Sequence, residues 1–449
     1  MRVTDMTHGR PIRLILLFSL PLMLGSVFQQ LYTIVDTIII GRGVGMQALA
    51  SIGAADWINW LVLWGLQGFT QGFAILAAQE FGAGAYDRLR RVLAMIVKLS
   101  CWFGIAVTII SLLLVRPLLT LLHTDPAVFG GAQTYLYVQF GGSLIIIAYN
   151  MAAAVLRCLG DSKTPLLAII AASFANIALD LLFVMGFGWG IFGASFATVL
   201  AQLIAFLLCL RSLRRLPFVQ LTKADWKTDP AILLHLCRLG IPTGLQMSMI
   251  TLGGMVLQSV LNGFGVVFVA GYTAANKLYG ILESASVAFG YAMTAYMGQN
   301  RGARNAARID TGIRAVLALS AGFTAAIVTA MLLAGKPLLG LFLSTEEAGA
   351  ADALAVAYQY LMVLMAFLFA LFMLQAYRSS LQGLGEMTVP TLSGFAEMLM
   401  RMGAALVLPV FIGKSGVFFA EGAAWVCAAA LNLVWYYMRI GKIKRDMLK

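Results

Sequence analysis

Apolar runs of about 20 residues recur along the whole chain, and this feature constrains the fold more than any other. A helix of about 20 residues crosses roughly 30 Å of hydrocarbon, the apolar thickness of a bilayer. The chain is 61% hydrophobic and only 11% charged over 449 residues, which is too little polar surface to enclose a water-soluble core of this size. No series of short alternating strands occurs, which argues against a closed β-barrel. We therefore expect an all-α integral membrane protein.

Twelve of these runs are predicted to be transmembrane helices. They lie near residues 12–40, 49–75, 91–115, 133–157, 165–187, 191–211, 234–262, 271–297, 311–335, 356–380, 390–412 and 416–438. Most of the 31 Lys and Arg residues lie at the termini and in the loops of one side, whereas the opposite loops hold only Arg42, Arg116, Lys336 and Lys414. Positive loops stay in the cytoplasm, which predicts a multi-pass protein of the cytoplasmic (inner) membrane with both termini in the cytoplasm. The basic residues flank helix ends and form no continuous patch, so nucleic-acid binding is not expected.

The two halves of the chain resemble each other at an offset of about 220 residues. Three pairs of segments match: Leu20-Pro21 with Ile241-Pro242, Gln79 and Gly82-Ala83 with Gln299 and Gly302-Ala303, and Leu159-Gly160-Asp161 with Leu384-Gly385-Glu386. Each half contains six predicted spans, so the repeats share one orientation across the membrane. This predicts two pseudo-symmetric six-helix lobes around a central cavity. The lobes are predicted at 1–210 and 234–449, joined by a cytoplasmic linker at 211–233.

Asp36 and Asp180 lie within predicted spans of the first half, where an unpaired charge costs several kcal/mol. Tyr32 precedes Asp36 by one helical turn and Asn176 precedes Asp180 by one turn, so each pair shares a helix face. Thr198 on the sixth span reaches this group if the fifth and sixth helices pack together. Oxygen atoms of these types suit a proton or a hard monovalent cation such as sodium. Asp36 and Asp180 act as metal ligands only if the coupling ion is sodium.

Two alternatives stay open for these residues. Each aspartate can instead lie near a helix end and reach the aqueous interface. Pro21 lies inside the first span, where it removes a backbone hydrogen bond and permits a bend. That bend either couples protonation of Asp36 to helix movement or is static.

The second half carries a different set of polar residues within its spans: Gln246, Gln258, Asn276, Lys277, Glu283, Glu397 and Arg401. Glu397 and Arg401 are one helical turn apart, which favours a structural ion pair over a role in substrate binding. The only basic residues placed inside spans are Lys277 and Arg401. Candidates for a substrate cavity are Gln246, Asn276, Lys277 and Glu283, and Glu283 stays open between a transport role and a structural one.

The chain resembles the multidrug and toxic compound extrusion (MATE) transporters over nearly its whole length. The resemblance is carried by the segments 20–42, 48–53, 79–84 and 156–165. It implies twelve helices in two lobes, and export of amphipathic, often cationic compounds driven by inward flow of protons or sodium.

The resemblance also implies a site. One branch of the family builds a cation site from an aspartate in the first helix, an asparagine and an aspartate in the fifth, and a threonine in the sixth. Asp36, Asn176, Asp180 and Thr198 occupy the matching positions, and Tyr32 matches a tyrosine near that site. Another branch places acids in helices seven and ten, where the predicted spans of this sequence have none.

We therefore expect a secondary active antiporter that exports small amphipathic or cationic organic compounds in exchange for protons or sodium ions. No cofactor is expected beyond the coupling ion, and two lobes in one chain predict a functional monomer. The alternative is a flippase for lipid-linked precursors, which predicts a more basic cavity. An enzyme is not expected, because no GxSxG, HExxH or clustered His and Cys motif occurs.

Overall fold

The computed structural model describes residues 3–342 and 349–448, and in these ranges the chain forms helices and no strands. Seven α-helices lie in the first half: α1 (Pro11–Gly43), α2 (Met46–Gly82), α3 (Tyr86–Leu121), α4 (Pro126–Gly141), α5 (Ser143–Cys158), α6 (Lys163–Asp180) and α7 (Gly190–Arg214). Six lie in the second half: α8 (Pro230–Asn262), α9 (Val266–Gly302), α10 (Ala306–Gly340), α11 (Ala350–Gly383), α12 (Thr388–Ile412) and α13 (Phe419–Leu448).

These helices correspond to the twelve predicted spans. Ten helical segments in the described ranges are long and apolar enough to cross a membrane, and α4 with α5 forms one further span that is bent by 50°. The bend falls at Gly141 and Gly142, and glycine is a weak helix former. Helix α9 is not among the apolar ten because it is richer in polar residues, but its 37 residues are long enough to span a bilayer. The prediction of an all-α integral membrane fold is confirmed.

The chain divides into two compact units, whose bounds differ from those of the predicted lobes. The first unit contains residues up to Asp5 and Leu20–Ser248, and the second contains Met6–Ser19 and Met249 onward. Both divisions fall inside a helix, α1 and α8, and close to the repeated prolines Pro21 and Pro242. A long helix packs against different neighbours along its length, so unit bounds need not fall in a loop.

Helix α2 is central to the first unit, where it packs against α3, α4, α5 and the first half of α8. The approach to α8 is made possible by small residues. A Cβ atom on Gly72 would lie 2.5 Å from the carbonyl oxygen of Leu239 and 2.6 Å from Cα of Gly240. One turn earlier, a Cβ atom on Gly68 would lie 2.7 Å from the carbonyl oxygen of Thr243. Such stripes of small residues allow membrane helices to approach closely.

We expect the substitution Gly72→Ala to destabilise the first unit by about 1–3 kcal/mol, because the added methyl group meets backbone atoms that cannot move alone. The measurement is the yield and melting temperature of the detergent-purified protein. Gly53→Ala is the matched control on the same helix, because no atom lies within 4 Å of a Cβ at that position. Equal melting temperatures for the two variants would contradict this account of the α2–α8 contact.

The predicted linker, residues 211–233, belongs to the first unit and packs on α3. Lys98 donates hydrogen bonds to the carbonyl oxygen of Trp226 at 2.5 Å and to the hydroxyl of Thr228 at 2.9 Å. Asp225 accepts hydrogen bonds from the backbone N–H and the hydroxyl of Thr222, both at 2.7 Å. Burial alone would raise the pKa of Asp225, but these bonds and the positive charge of Arg90 lower it below its usual value. The linker therefore adopts a defined structure on this unit.

In the second unit, α11 is the central helix and packs against α9, α10 and α13. The segment that precedes α1 is held by the turn between α9 and α10. The backbone N–H of Met6 donates to Oε1 of Gln299 at 2.8 Å, and Arg308 donates to the carbonyl oxygens of Met6 at 3.1 Å and Gly9 at 2.9 Å. Residues near the amino terminus are thereby part of the second unit.

Candidate functional site

Asn176, Asp180 and Thr198 come together in the first unit because α6 packs along α7. With its amide oriented to satisfy both partners, Asn176 donates to Oδ2 of Asp180 at 2.9 Å and accepts from the backbone N–H of Thr198 at 3.3 Å. The Thr198 hydroxyl donates to the carbonyl oxygen of Ala194 in its own helix at 3.1 Å. Asp180 is fully buried and Asn176 is 1% exposed. Asp180 is also the last residue of α6 before a π-helical turn, Leu181–Gly186, an irregularity often found at functional sites.

Asp36 approaches this group from α1. An apolar cluster of Ile39, Ile40, Val184 and Ala194, with Val35 and Ile177 at its edge, holds α1 against α6 and α7. The carboxyl groups of Asp36 and Asp180 lie within hydrogen-bonding reach of each other. Tyr32, one turn earlier on α1, lies close enough to interact electrostatically with both. The five residues that the sequence singled out in this half therefore lie in one neighbourhood.

No basic side chain in the described part of the chain neutralises the two carboxyl groups. Within residues 3–342 and 349–448, no Lys or Arg forms an ion pair with Asp36 or Asp180. One oxygen of each, Oδ1, is buried without any hydrogen-bond donor. A carboxylate only accepts hydrogen bonds, so two of them in direct contact need a proton or a cation between them. The arrangement can therefore bind and release one positive charge.

A third acid was missed in the sequence. Asp56 of α2 lies close enough to Asp36 to interact with it, and it also neighbours Tyr135 of α4. The signal was available, because Asp56 falls within the predicted span 49–75 and the same reasoning that selected Asp36 and Asp180 applies to it. No group of three or more His, Cys, Asp or Glu side chains in the described part of the chain is arranged to hold a metal ion.

The second unit contains a buried network of alternating charges. Arg378 of α11 donates to Glu397 at 2.6 Å, and Arg401 donates to Glu397 at 3.0 Å and to Glu421 of α13 at 2.8 Å. Arg401 also donates to the carbonyl oxygen of Ile250 in α8 at 2.9 Å. Arg378, Glu397 and Arg401 are each less than 5% exposed. The predicted pair of Glu397 with Arg401 is present, and it joins four helices rather than one.

Two members of this network were not recognised in the sequence. Arg378 was counted among the loop charges of the cytoplasmic side although it falls at the end of the predicted span 356–380, so the prediction that Lys277 and Arg401 are the only basic residues inside spans is wrong. In the structure α11 continues to Gly383, and Arg378 packs against α12, where it donates to the hydroxyl of Ser393. Glu421 was passed over because it lies near the start of the last span. The second ion pair of Arg401, with Glu421, was not visible without the packing.

The candidate residues for a substrate cavity lie in both units. Gln246 belongs to the first unit and is buried, whereas Asn276, Lys277 and Glu283 belong to the second. Asn276 and Lys277 are exposed on α9, and Glu283 is partly buried. Glu283 lies within hydrogen-bonding reach of Tyr279, whose ring stacks on Trp425 with 5.5 Å between centroids. In the described ranges no Lys or Arg forms an ion pair with Glu283.

A comparison with protein families returns one model, MatE, which matches residues 21–182 and again residues 242–407. Both matches begin at one of the repeated prolines, Pro21 and Pro242. The two matched segments agree with the internal repeat and with the resemblance noted in the sequence.

Known proteins are similar to this chain over nearly its whole length. A protein of Bacillus subtilis named "Probable multidrug resistance protein YpnP" is 32% identical over 455 residues, which is 99% of this chain and 98% of that protein. A crystal structure of a MATE transporter in complex with MaL6 has a TM-score of 0.91 at 24% identity, covering 99% of this chain and 100% of the other. A MOP superfamily transporter from Pyrococcus furiosus, for which reversed polarity of the binding pocket suggests a different function, also has a TM-score of 0.91, at 25% identity with the same coverage.

Proposed function

We propose a function for this chain on the basis that it belongs to the MatE family of transporters. It exports small amphipathic or cationic organic compounds in exchange for protons. The protein spans the cytoplasmic (inner) membrane many times, with both termini in the cytoplasm, and works as a monomer. It needs no cofactor beyond the coupling ion. The multidrug resistance name of the Bacillus subtilis relative supports export as the direction of transport.

The juxtaposition of Asp36 and Asp180 carries this proposal. The two groups lie in hydrogen-bonding reach with no basic partner among the described residues, so their shared position is favourable only when it holds a positive charge. Three features favour a proton over sodium. Two carboxyl groups form a hydrogen bond with each other only when one of them is protonated. Asn176 presents a donor rather than an oxygen ligand to Asp180, and the Thr198 hydroxyl donates to a carbonyl oxygen of its own helix. Asn176, Thr198 and Tyr32 position the pair.

Coupling follows if the proton and the substrate favour different conformations of the protein. Protonation of the Asp36–Asp180 pair from the outside removes a buried negative charge and stabilises the state that releases substrate. Loss of the proton to the cytoplasm restores the charge and the state that binds substrate. The bend permitted at Pro21, on the same helix as Asp36, links the protonation state to the position of α1. Differential affinity of this kind is what any ligand needs to shift a conformational equilibrium.

The test is transport by the purified full-length chain in proteoliposomes. A proton gradient in the absence of sodium should drive uptake of an organic cation such as ethidium, and a sodium gradient at equal pH should not. Transport driven by sodium alone would replace the proton in this scheme by sodium. Absence of transport under either gradient, with ethidium still bound by the purified protein, would contradict antiport.

The flippase alternative is less well supported. It requires basic side chains that are free to hold a phosphate group. The two buried arginines of the second unit, Arg378 and Arg401, are instead neutralised by Glu397 and Glu421. Transport of a lipid-linked sugar in the same proteoliposomes, without ethidium transport, is the result that would favour it.

Glu283 is the acid of the second unit that we assign to cationic substrates. The network around it holds three glutamates and two arginines, so one negative charge is left without a basic partner among the described residues. Glu283→Gln should weaken binding of ethidium about tenfold, as loss of one partly screened ionic contact costs roughly 1–2 kcal/mol, while binding of a neutral amphipathic compound should change little. The measurement is a fluorescence binding titration in detergent.

Asp352→Asn is the matched control for Glu283→Gln, because Asp352 is an exposed acid in the first turn of α11 in the same unit. It should leave both affinities unchanged. An equal loss for the cationic and the neutral compound in Glu283→Gln would indicate a structural role for this residue.

A further inference from the structure

Asp56 is an acid in the first third of the membrane helix α2, within the predicted span 49–75, and the scheme above does not use it. It lies on α2 and is only partly buried, and Asn59 follows it one turn later on the same helix. An ionisable side chain at such a position is costly unless it faces water, protein or a charge of opposite sign. Its surroundings show which of these applies.

Apolar contacts locate Asp56 between two groups of helices. Ile52, one turn before it, packs against the apolar cluster that contains Ile39, Ile40, Val184 and Ala194. Ala55 and Ile58, on either side of it in sequence, pack in a cluster that includes Tyr135 of α4. Asp56 therefore lies between α4 on one flank of α2 and, on the other, the apolar cluster to which α1 and α7 contribute.

The titratable groups that these helices present to Asp56 are acids and phenols. Asp36 of α1 lies close enough to interact with it electrostatically, and Tyr135 of α4 lies close enough to interact in the same way with Asp56, Asp36 and Tyr32. Asp180 of α6 is in contact with Asp36. In the described ranges no Lys or Arg forms an ion pair with any of the three aspartates.

Buried oxygen atoms without donors lie in the same place. Asn59 is only 4% exposed, and its amide nitrogen donates to the hydroxyl oxygen of Tyr135 at 3.2 Å. Its amide oxygen has no donor, and neither do Oδ1 of Asp36 and Oδ1 of Asp180. Buried acceptors in folded proteins are almost always satisfied, so these oxygens need hydrogen-bond donors, and a protonated carboxyl group is a donor that this neighbourhood can supply.

We propose that Asp56, together with Asn59 and Tyr135, forms a second proton-binding position beside the Asp36–Asp180 pair, so that two protons enter for each substrate molecule exported. The inference rests on the proposed function and specifies its stoichiometry. A proton fits better than a metal ion, because the described residues contain no group of three acids, histidines or cysteines arranged around a common point. One proton is shared by Asp36 and Asp180, and the other is taken up by the carboxylate of Asp56.

The stoichiometry has a consequence for charge movement. Exchange of two protons for one monovalent organic cation carries one net positive charge inward in each cycle. Exchange of a single proton for the same cation is electrically neutral. Transport of ethidium by the wild-type protein should therefore respond to the membrane potential at constant pH, and transport by a variant without the second position should not.

The decisive experiment measures the ethidium gradient at which net flux stops. The full-length protein is reconstituted in proteoliposomes without sodium, a gradient of one pH unit is imposed, and valinomycin with equal potassium holds the potential at zero. Two coupled protons balance an ethidium ratio of about 100, and one proton balances a ratio of about 10. This ratio is an equilibrium property, so it depends neither on the turnover rate nor on the orientation of the protein in the vesicle.

We expect a ratio of about 100 for the wild-type protein and about 10 for Asp56→Asn, which should remain coupled. Asp56→Glu, which keeps the carboxyl group, should restore the ratio of about 100. Asp87→Asn, at an exposed acid at the start of α3, is the control and should match the wild type.

Three outcomes would overturn the inference: a wild-type ratio of about 10, an unchanged ratio in Asp56→Asn, or a balance set by sodium at equal pH. The first of these is decisive even if Asp56→Asn cannot be purified. No ethidium gradient in the wild-type protein would instead contradict the proposed function itself, so the two failures are distinguishable.

Discussion

Asp36→Asn should abolish export driven by a proton gradient, lowering the initial rate of ethidium transport at least about tenfold. The asparagine keeps the size of the aspartate, but its amide group can donate a hydrogen bond to Asp180 permanently. The pair then no longer needs a proton, and the protein stays in the arrangement that protonation normally produces. Asp180→Asn should have the same effect for the same reason. Both are measured in proteoliposomes and as loss of drug resistance in hypersensitive cells.

Two controls separate loss of coupling from loss of folding. The melting temperature of the purified Asp36→Asn variant should be no lower than that of the wild-type protein, because the asparagine keeps the size of the side chain and supplies a hydrogen-bond donor to Asp180. Asp87→Asn should leave resistance and transport unchanged, since Asp87 is an exposed acid outside the membrane-spanning part of α3. Undiminished proton-driven efflux in both Asp36→Asn and Asp180→Asn, at normal expression, would eliminate these carboxyls as the coupling site.

Arg401→Ala should destabilise the second unit by about 3–5 kcal/mol, because it leaves buried Glu397 and Glu421 short of their shared partner. The substitution also removes the hydrogen bond to the carbonyl oxygen of Ile250, which connects α12 to α8. We expect a large fall in expression and in the melting temperature of the detergent-purified protein. Arg401→Lys should give an intermediate loss, because lysine keeps the charge but cannot reproduce the forked contacts of arginine.

Lys444→Ala provides the comparison within the same unit. Lys444 pairs with Asp310 across α10 and α13, and both side chains are substantially exposed to solvent. A pair of this kind contributes at most about 1 kcal/mol, so the melting temperature should change little. Equal effects of Lys444→Ala and Arg401→Ala would refute the view that burial makes the Arg401 network important for stability.

The residues of the candidate cation site were accessible from the sequence because of where they occur. Asp36 and Asp180 are conspicuous in apolar runs, and Tyr32 and Asn176 precede them by one helical turn. Asp56 obeys the same rule and was overlooked, so that omission was not a limit of the sequence. The ion network differs, because Arg378 and Glu421 lie toward helix ends, where a charge is ordinarily solvated. Only the packing of α11, α12 and α13 shows that Arg378 is buried and that Glu421 pairs with Arg401.

The sequence by itself determined that lipid surrounds most of this protein and that its two halves form an internal repeat. The length and apolarity of the runs require helices in lipid, and the matched prolines and glycines of the two halves mark the duplication. The tertiary structure decided which polar groups meet, since contacts between α1, α2, α4 and α6 join residues far apart in the chain. Helical periodicity is a local property that is visible within a single segment of the sequence. The contacts of Asp36 with Asp180, of Asn59 with Tyr135 and of Arg401 with Glu421 depend on how helices pack, which local patterns do not encode.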